Sequence, residues 1–501
     1  MEEEPSSLQT NESQPPNGYP RSGFILLAIA LVFLIIFISI VQHVAAPKRQ
    51  EEPSISEAAI EGDISIKLYY AYGRWMSRLP AETADRQGTE AFRETQRRSA
   101  ITWYERAAEQ NPSAYNLRRL LIIQYPGKRE QVIDRLAEIE FPRSSEVPGV
   151  PSEVDMWGDI YTGDERISPT DVAAYSSAIR GTHLGWYQHP ALAQLYARGR
   201  MDAEAKQELL IAETQASRTI ILLGILVFGL AILGLTGLGL MIWFISKKGS
   251  GWSYAPSAVS EMTPEARSRL SGILLESFVV YLAIAISIQV MAAIAIIGGF
   301  PASRYDNANL MVVITAGVYV LSGVFALAYL AHRMRSHGIT WKMIGLASDH
   351  PFRDVLWGVG GYAAALPLLL IAGVASQFVG RYVPTPPNPV VPLFAETQTL
   401  AGKLILFALV TVAAPFFEEI FFRGVLVNSF RARWSIKAGI VLSALVFSLV
   451  HPLPLGLLPI FVLGTIFAIL LAQRGSLLPS MISHGLNNGV AFTLLFILTG
   501  S

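Results

Sequence analysis

The chain contains no cysteine, which removes disulfides, thiolate metal ligands and a cysteine nucleophile together. The same absence fits either side of a membrane and leaves the compartment open. Charge is scarce as well: Asp, Glu, Lys and Arg make up 16% of the residues, against about 25% in soluble domains. Net charge is absent too, since 39 basic residues meet 39 acidic ones. The whole chain thus has no electrostatic footprint for nucleic acid or anionic lipid. What is present is hydrophobicity, 51% of 501 residues, with a mean hydropathy of +0.39. A soluble chain of this length would hold about three domains. This composition predicts a multispanning membrane protein instead.

Residues 1–21 are acidic and rich in Pro, Ser and Asn, a composition that buries too little apolar surface to offset chain entropy; they are expected to be a disordered cytoplasmic tail. Residues 22–46 contain an uncharged apolar run, Gly23 to Val41, long enough to cross about 30 Å of hydrocarbon. A cleaved signal peptide is the rival reading, with Val44-Ala45-Ala46 as its cleavage site. The acidic flank and the length of the run favour an uncleaved transmembrane anchor. Residues 47–218 regain charge and lack a spanning-length run. Helical periodicity there covers Ala100 to Tyr125, with Asn111-Pro112 as a turn, and Ala191 to Ala205. Small and aromatic residues at three- and four-residue intervals are weakly similar to tetratricopeptide helix pairs. A small helical spacer is the plainer reading, and Pro142 to Pro169 reads as loop.

Apolar spans resume at 219–246, followed by a cytoplasmic loop at 247–271. They continue at about 272–299, 309–331, 355–380, 404–427, 437–451, 454–472 and 476–498. With the anchor this makes about nine crossings: an all-α, polytopic helical bundle with an inserted extramembrane helical domain. Basic residues orient it. Lys247, Lys248, Arg267 and Arg269, then Arg333, Arg335, Lys342 and Arg353, then Arg431, Arg433 and Lys437, then Arg474, follow alternate spans. The intervening loops hold only Arg304, Arg381 and Lys403. A cytoplasmic N-terminus puts every basic-rich loop inside and residues 47–218 outside the cytoplasm.

Ionisable groups inside spans cost about 2.5–3.5 kcal/mol each on insertion scales and mark functional sites by default. Here they are few. Glu418, Glu419 and Arg423 share one helix (APFFEEIFFRGVL), His451 ends the next span (FSLVH), and His484 and Asn488 lie in the last (MISHGLNN). Glu419 and Arg423 stand four apart with the acid first, the favourable order for an ion pair. Glu418 points about 100° away, with Phe422 at i+4, and is left available. Pro415 deprives the Thr411 carbonyl of its helical donor and can kink the helix. His484 and Asn488 share a face, as do Phe447 and His451. At 1.5 Å per residue, Glu418, His451 and His484 lie about 18, 21 and 15 Å from the cytoplasmic ends of their spans. All three can meet near mid-membrane. Packing hydrogen bonds between helices are the bland alternative. Glu276, His332 and His337 sit at the membrane boundary and read as interfacial. His43, His183 and His189 lack ligand spacing.

Glu-Glu-x-x-x-Arg (418–423), Phe-x-x-x-His (447–451) and His-x-x-x-Asn (484–488), in this order, resemble the CAAX-protease and bacteriocin-processing (CPBP, or Abi) family of intramembrane endopeptidases. Gly424 and the stretch GSLLPSMISHGLNN add to the likeness. It covers about residues 272–501 and is strongest over 404–498. The resemblance implies peptide-bond hydrolysis in a membrane cavity. It makes Glu418 the base that activates water and His451 its assistant in proton transfer. His484 and Asn488 would position water or stabilise the oxyanion, and Glu419 and Arg423 would shape the site. A glutamate-type, metal-free reaction is favoured, with a Zn2+ held by Glu418, His451 and His484 as the alternative. The expected substrate is a membrane-associated or secreted peptide or protein, and the expected location a bacterial inner membrane, with no nucleic-acid partner. A non-catalytic scaffold or immunity protein, binding through residues 47–218, is the competing class. A transporter is the third, although the internal repeats it predicts are not evident.

Overall fold

The computed structural model describes residues 57–80, 86–110, 112–139, 152–182, 184–246, 254–255, 258–299, 308–380, 393–394, 397, 399–451 and 456–499. The expected tail (1–21) and anchor (22–46) lie outside the described residues, as do His43, His183, Lys247, Lys248, Arg304 and Arg381. The described residues are helical throughout, with no strand among them.

The amino-terminal bundle comprises α1 (Glu57–Ser77), α2 (Arg86–Gln110), α3 (Ala114–Ile123), α4 (Arg129–Ala137), α5 (Glu153–Tyr161), α6 (Pro169–Gly181) and α7 (Gln188–Arg198). Serines set several of its helix starts: Ser113, Ser152 and Ser168 accept the backbone N–H of Asn116, Asp155 and Asp171, satisfying donors that the first turn leaves orphaned. The bundle has its own core, in which Trp157, Tyr104, Leu117 and Tyr187 are shielded almost completely. Rings of this size bury on the order of 150–250 Å² each, worth roughly 4–6 kcal/mol at about 25 cal/mol per Å². Two sequence expectations need correction here. Pro142 to Pro169 is not all loop, because the capped helix α5 falls within it and drives Trp157 into the core. The periodic stretch Ala191 to Ala205 is broken after Arg198, with Arg200 in the left-handed region at φ 61°.

The next helix, α8 (Asp202–Ser246), runs unbroken for 45 residues, or about 68 Å at 1.5 Å per residue. It begins against α7 and α1 and continues as an apolar span, so the bundle is joined to the membrane helices by a rigid rod. Then follow α9 (Pro264–Gly299), α10 (Ala308–Ser336), α11 (Pro351–Gly380), α12 (Leu400–Arg433), α13 (Ile436–Leu449), α14 (Leu457–Arg474) and α15 (Leu478–Thr499). Among the described residues, seven helices are long and apolar enough to cross a membrane, α8 to α12, α14 and α15. They mark the chain as an integral membrane protein. The apolar α13 is shorter, at 14 residues. α9 starts inside the expected 247–271 loop, with Pro264 in its first turn and Thr263 accepting from Ala266 N–H.

Small residues let these helices close on one another, as membrane bundles require. Gly237 of α8 faces α11 so closely that a Cβ there would stand 1.9 Å from the Ala363 carbonyl oxygen. α11 packs in turn on α14 and α15. A second core, centred on Phe278, Phe421, Phe422 and Phe447, surrounds the middle of α12.

Candidate active site in the membrane core

α12 is not a uniform α-helix. Pro415 has no N–H to offer the Thr411 carbonyl, and the backbone widens to i→i+5 hydrogen bonding over Leu409–Ala413 and again over Glu419–Val427. Such wide turns are rare and gather at functional sites. The break expected at Pro415 is therefore taken up as widened turns within a continuous helix. α15 closes on the first of them. Asn488 Nδ2 donates to the Val410 carbonyl at 2.7 Å, while Gly485 approaches the Thr411 carbonyl, where a Cβ would stand 2.7 Å from the oxygen. Only glycine permits that approach.

The widened helix delivers Glu418, Glu419 and Arg423 to one imidazole. Arg423 Nη1 donates to Glu419 Oε1 at 2.8 Å, with both side chains fully shielded. His484 Nδ1 lies 2.8 Å from the same oxygen. Its other nitrogen, Nε2, faces Glu418 Oε2 at 3.8 Å. Sequence geometry set Glu418 and Glu419 about 100° apart around the helix. They nonetheless share a partner, because the two imidazole nitrogens sit on opposite edges of the ring and span neighbouring residues. The Arg423 guanidinium is clamped between aromatic faces, 4.1 Å from the Phe447 centroid and 5.0 Å from that of Phe467. This cation–π contact accounts for its Nε and Nη2 having no hydrogen-bond partner among the described residues. Phe467 also stacks on His484 at 4.9 Å, fixing the ring plane.

Glu418 keeps some exposure, 16% of its side chain, where Glu419 has none. Its second oxygen accepts a hydrogen bond from the Tyr319 hydroxyl of α10 at 3.0 Å. Tyr319 is not singled out by the sequence, because its span also holds Thr315, Ser322 and Tyr329 and nothing local marks one hydroxyl as a partner for Glu418. His451 lies just past α13, with its ring 4.7 Å from Phe447 and Nδ1 2.7 Å from the Phe447 carbonyl. Phe447 is also 5.8 Å from the His484 ring, so one phenyl group separates the two histidines. The structure thus brings Glu418, Glu419, Arg423 and His484 into direct contact, sets His451 beside them across Phe447, and commits one face of Asn488 to the α12 backbone. Glu276 is placed apart, bonded to Tyr329 at 2.6 Å and Arg333 at 2.7 Å.

The zinc alternative can be tested on these positions. Among the described residues no three of His, Asp and Glu are grouped as a metal-holding set. His484 and His451 each use Nδ1, toward Glu419 and the Phe447 carbonyl, and each keeps Nε2, the nitrogen a metal would take. As arranged, the Phe447 ring stands between the two imidazoles, and Glu418, His451 and His484 do not converge on one point.

A carboxylate, an imidazole and a buried ion pair inside a bundle of apolar helices define an integral membrane protein with a polar site at its core. Residues 400–490 match the family described as type II CAAX prenyl endopeptidase Rce1-like. The matched stretch contains every motif residue from Glu418 to Asn488. The match agrees with the CAAX-protease family that the motifs resemble and supports intramembrane endopeptidase activity in general. The amino-terminal bundle and α8 to α11 lie outside it. Neither the curated proteins nor the solved structures contain a match to the chain.

Proposed function

We propose that the protein is an intramembrane endopeptidase of the glutamate type, hydrolysing a peptide bond of a membrane-associated or secreted peptide or protein. The observation that carries this reading is the His484 imidazole set between two unequal carboxylates. Glu419, buried and paired with Arg423, fixes the ring by its Nδ1. Glu418, partly open, faces Nε2 at 3.8 Å, a gap that one water bonded to both groups would bridge. In that position Glu418 takes the proton of the water as its oxygen attacks the scissile carbonyl, and His451 helps return a proton to the leaving amine. His484 and the remaining amide hydrogen of Asn488 act on the developing oxyanion. Glu419 and Arg423 are positioning residues.

The same reading places the N-terminus in the cytoplasm and residues 47–218 outside. Two observations support it. α8 leads out of the bundle into the membrane, and Lys67 of α1 donates to the Leu498 carbonyl at the far end of α15 at 2.8 Å. The bundle therefore sits where α8 enters and α15 ends, the side opposite the basic loops. Its separate core suits a domain that recruits a partner or substrate.

The test is mass-spectrometric mapping of new protein N-termini in membranes that contain either the wild type or Glu418→Gln at equal abundance. New termini in the wild type alone are expected, with the variant slower by about 10² to 10⁴, the range for loss of a general base. Identical termini from both would favour a scaffold that acts through residues 47–218.

A further inference from the structure

A cavity of about 230 Å³ opens between α1, α2, α3, α5, α7 and the start of α8, at a distance from the site in the membrane core. Two guanidiniums line it, Arg97 and Arg129. Both are pinned to the carboxyl end of α3. Arg97 Nε and Nη2 donate to the carbonyls of Ile123 and Gln124 at 3.0 and 3.1 Å, and Arg129 Nε donates to Gln124 at 3.1 Å. Their positions are thereby fixed, while Arg97 Nη1 and both Nη atoms of Arg129 have no hydrogen-bond partner among the described residues. Neither arginine has an ion-pair partner among those residues. Tyr161, 7% exposed, lines the same cavity. Its hydroxyl is fully shielded and has no hydrogen-bond partner among the described residues. The Arg129 guanidinium lies over the face of the Tyr161 ring, 4.8 Å from its centroid.

Two cations facing one cavity repel each other, and a shielded hydroxyl without a partner forgoes the hydrogen bond that water gives it in the unfolded chain. Burial holds the Arg129 pKa below its usual range, and the charge of Arg97 adds to that effect. A single anion that bonds Arg97 Nη1 and the Nη atoms of Arg129 relieves the repulsion, and a small shift of the Tyr161 ring lets its hydroxyl donate to the same anion. The remaining wall combines Ile66, Ile122, Pro190 and Leu209 with the rings of Tyr69 and Tyr70 and the Gln194 amide. Its aliphatic part is a seat for a hydrocarbon side chain next to the anion. The volume is below the roughly 300–1,000 Å³ of a drug-sized site and suits the end of a chain rather than a length of it. We propose that this cavity is a receptor for the C-terminal carboxylate of a peptide with an apolar last residue. That the peptide is a substrate or product of the membrane site rests on the protease reading; the receptor itself does not.

The experiment uses the full chain, purified in detergent and carrying Glu418→Gln so that the probe stays intact. The probe is fluorescein-labelled Ala-Gly-Ala-Leu with a free carboxylate, compared by anisotropy with the same peptide as its C-terminal amide. The acid is expected to bind at least tenfold more tightly than the amide. Arg129→Gln should weaken the acid tenfold or more, and Tyr161→Phe, which keeps the packing, about threefold to tenfold, with circular dichroism unchanged. Equal binding of acid and amide overturns the proposal, as does an acid affinity that neither substitution alters. Displacement of the peptide by equimolar inorganic phosphate would reassign the cavity to phosphate and overturn the carboxylate. Termini mapping is independent of all these outcomes, so either reading can fail alone.

Discussion

In the amino-terminal bundle the Asp63 carboxylate accepts from the hydroxyls of Tyr104 and Tyr187 and from Arg119, and Arg119 also lies 3.9 Å over the Tyr115 ring. In the membrane core Glu418 has one hydroxyl, from Tyr319, and an imidazole nitrogen 3.8 Å away. Beside it Glu419 leaves its Oε2 without a hydrogen-bond partner among the described residues. Both clusters bury carboxylates next to guanidiniums. In the first, almost every acceptor is used, burial and Asp63 together raise the pKa values of Tyr104 and Tyr187, and the result is a lock between helices. In the second, capacity is left over on both carboxylates, of which only Glu418 retains exposure. A buried polar network that is fully bonded rigidifies a fold, whereas one with spare acceptors can take up a proton or a reactant. The contrast supports the proposed division between a structural cluster and a chemical one within the same chain.

Removing one partner from each cluster should sharpen that contrast. Arg423→Met strands the fully shielded Glu419 and is expected to cost about 3–5 kcal/mol, the range for breaking a buried ion pair. Thermal unfolding in detergent measures it, and adding Glu419→Gln should recover much of the loss. Asp63→Ala removes the acceptor shared by two tyrosines and an arginine. A smaller loss of roughly 2–3 kcal/mol is expected, since each stranded group costs about 1–3 kcal/mol and the site is partly open to water. Neither substitution touches the proposed general base. Should Asp63→Ala abolish proteolysis while the melting temperature holds, the division between the clusters would be wrong.

Tyr319→Phe takes the single hydroxyl from Glu418. One hydrogen bond to a charged group is worth about 1.5–3 kcal/mol, so the turnover number should fall at least about tenfold with little change in unfolding temperature. A change confined to stability would make Tyr319 a packing residue.

The smallest effect is expected at Lys67, where the two regions meet. Burial lowers its pKa from the ordinary 10.5, with Asp63 pulling it back. Between the lowered folded value and 10.5 the unfolded chain binds more protons, so stability rises with pH across that window. Lys67→Met should flatten that slope and change stability near neutrality by about 1 kcal/mol or less, as read from unfolding midpoints at several pH values.

The apolar runs, the basic loops and the motif residues were all legible in the chain, because hydrophobic length, charge and helical spacing are local quantities. They were enough to predict a helical membrane bundle and to single out Glu418, His451 and His484 at similar depth. Even so, α5 was hidden in a stretch of Pro, Gly and Asp, although Ser152 and Asp155 are a readable cap. The α8 rod was divided at the membrane edge because composition changes there while the backbone does not. Other features belong to tertiary structure alone. That one imidazole touches both Glu418 and Glu419, that Tyr319 reaches Glu418 from α10, and that Asn488 braces Val410 depend on how α10, α12 and α15 are set against each other. So does the joining of Arg97, Arg129 and Tyr161 around one cavity. Spacing along a helix determines which residues share its face, but the partner across a helix contact is chosen by packing, which no single segment encodes.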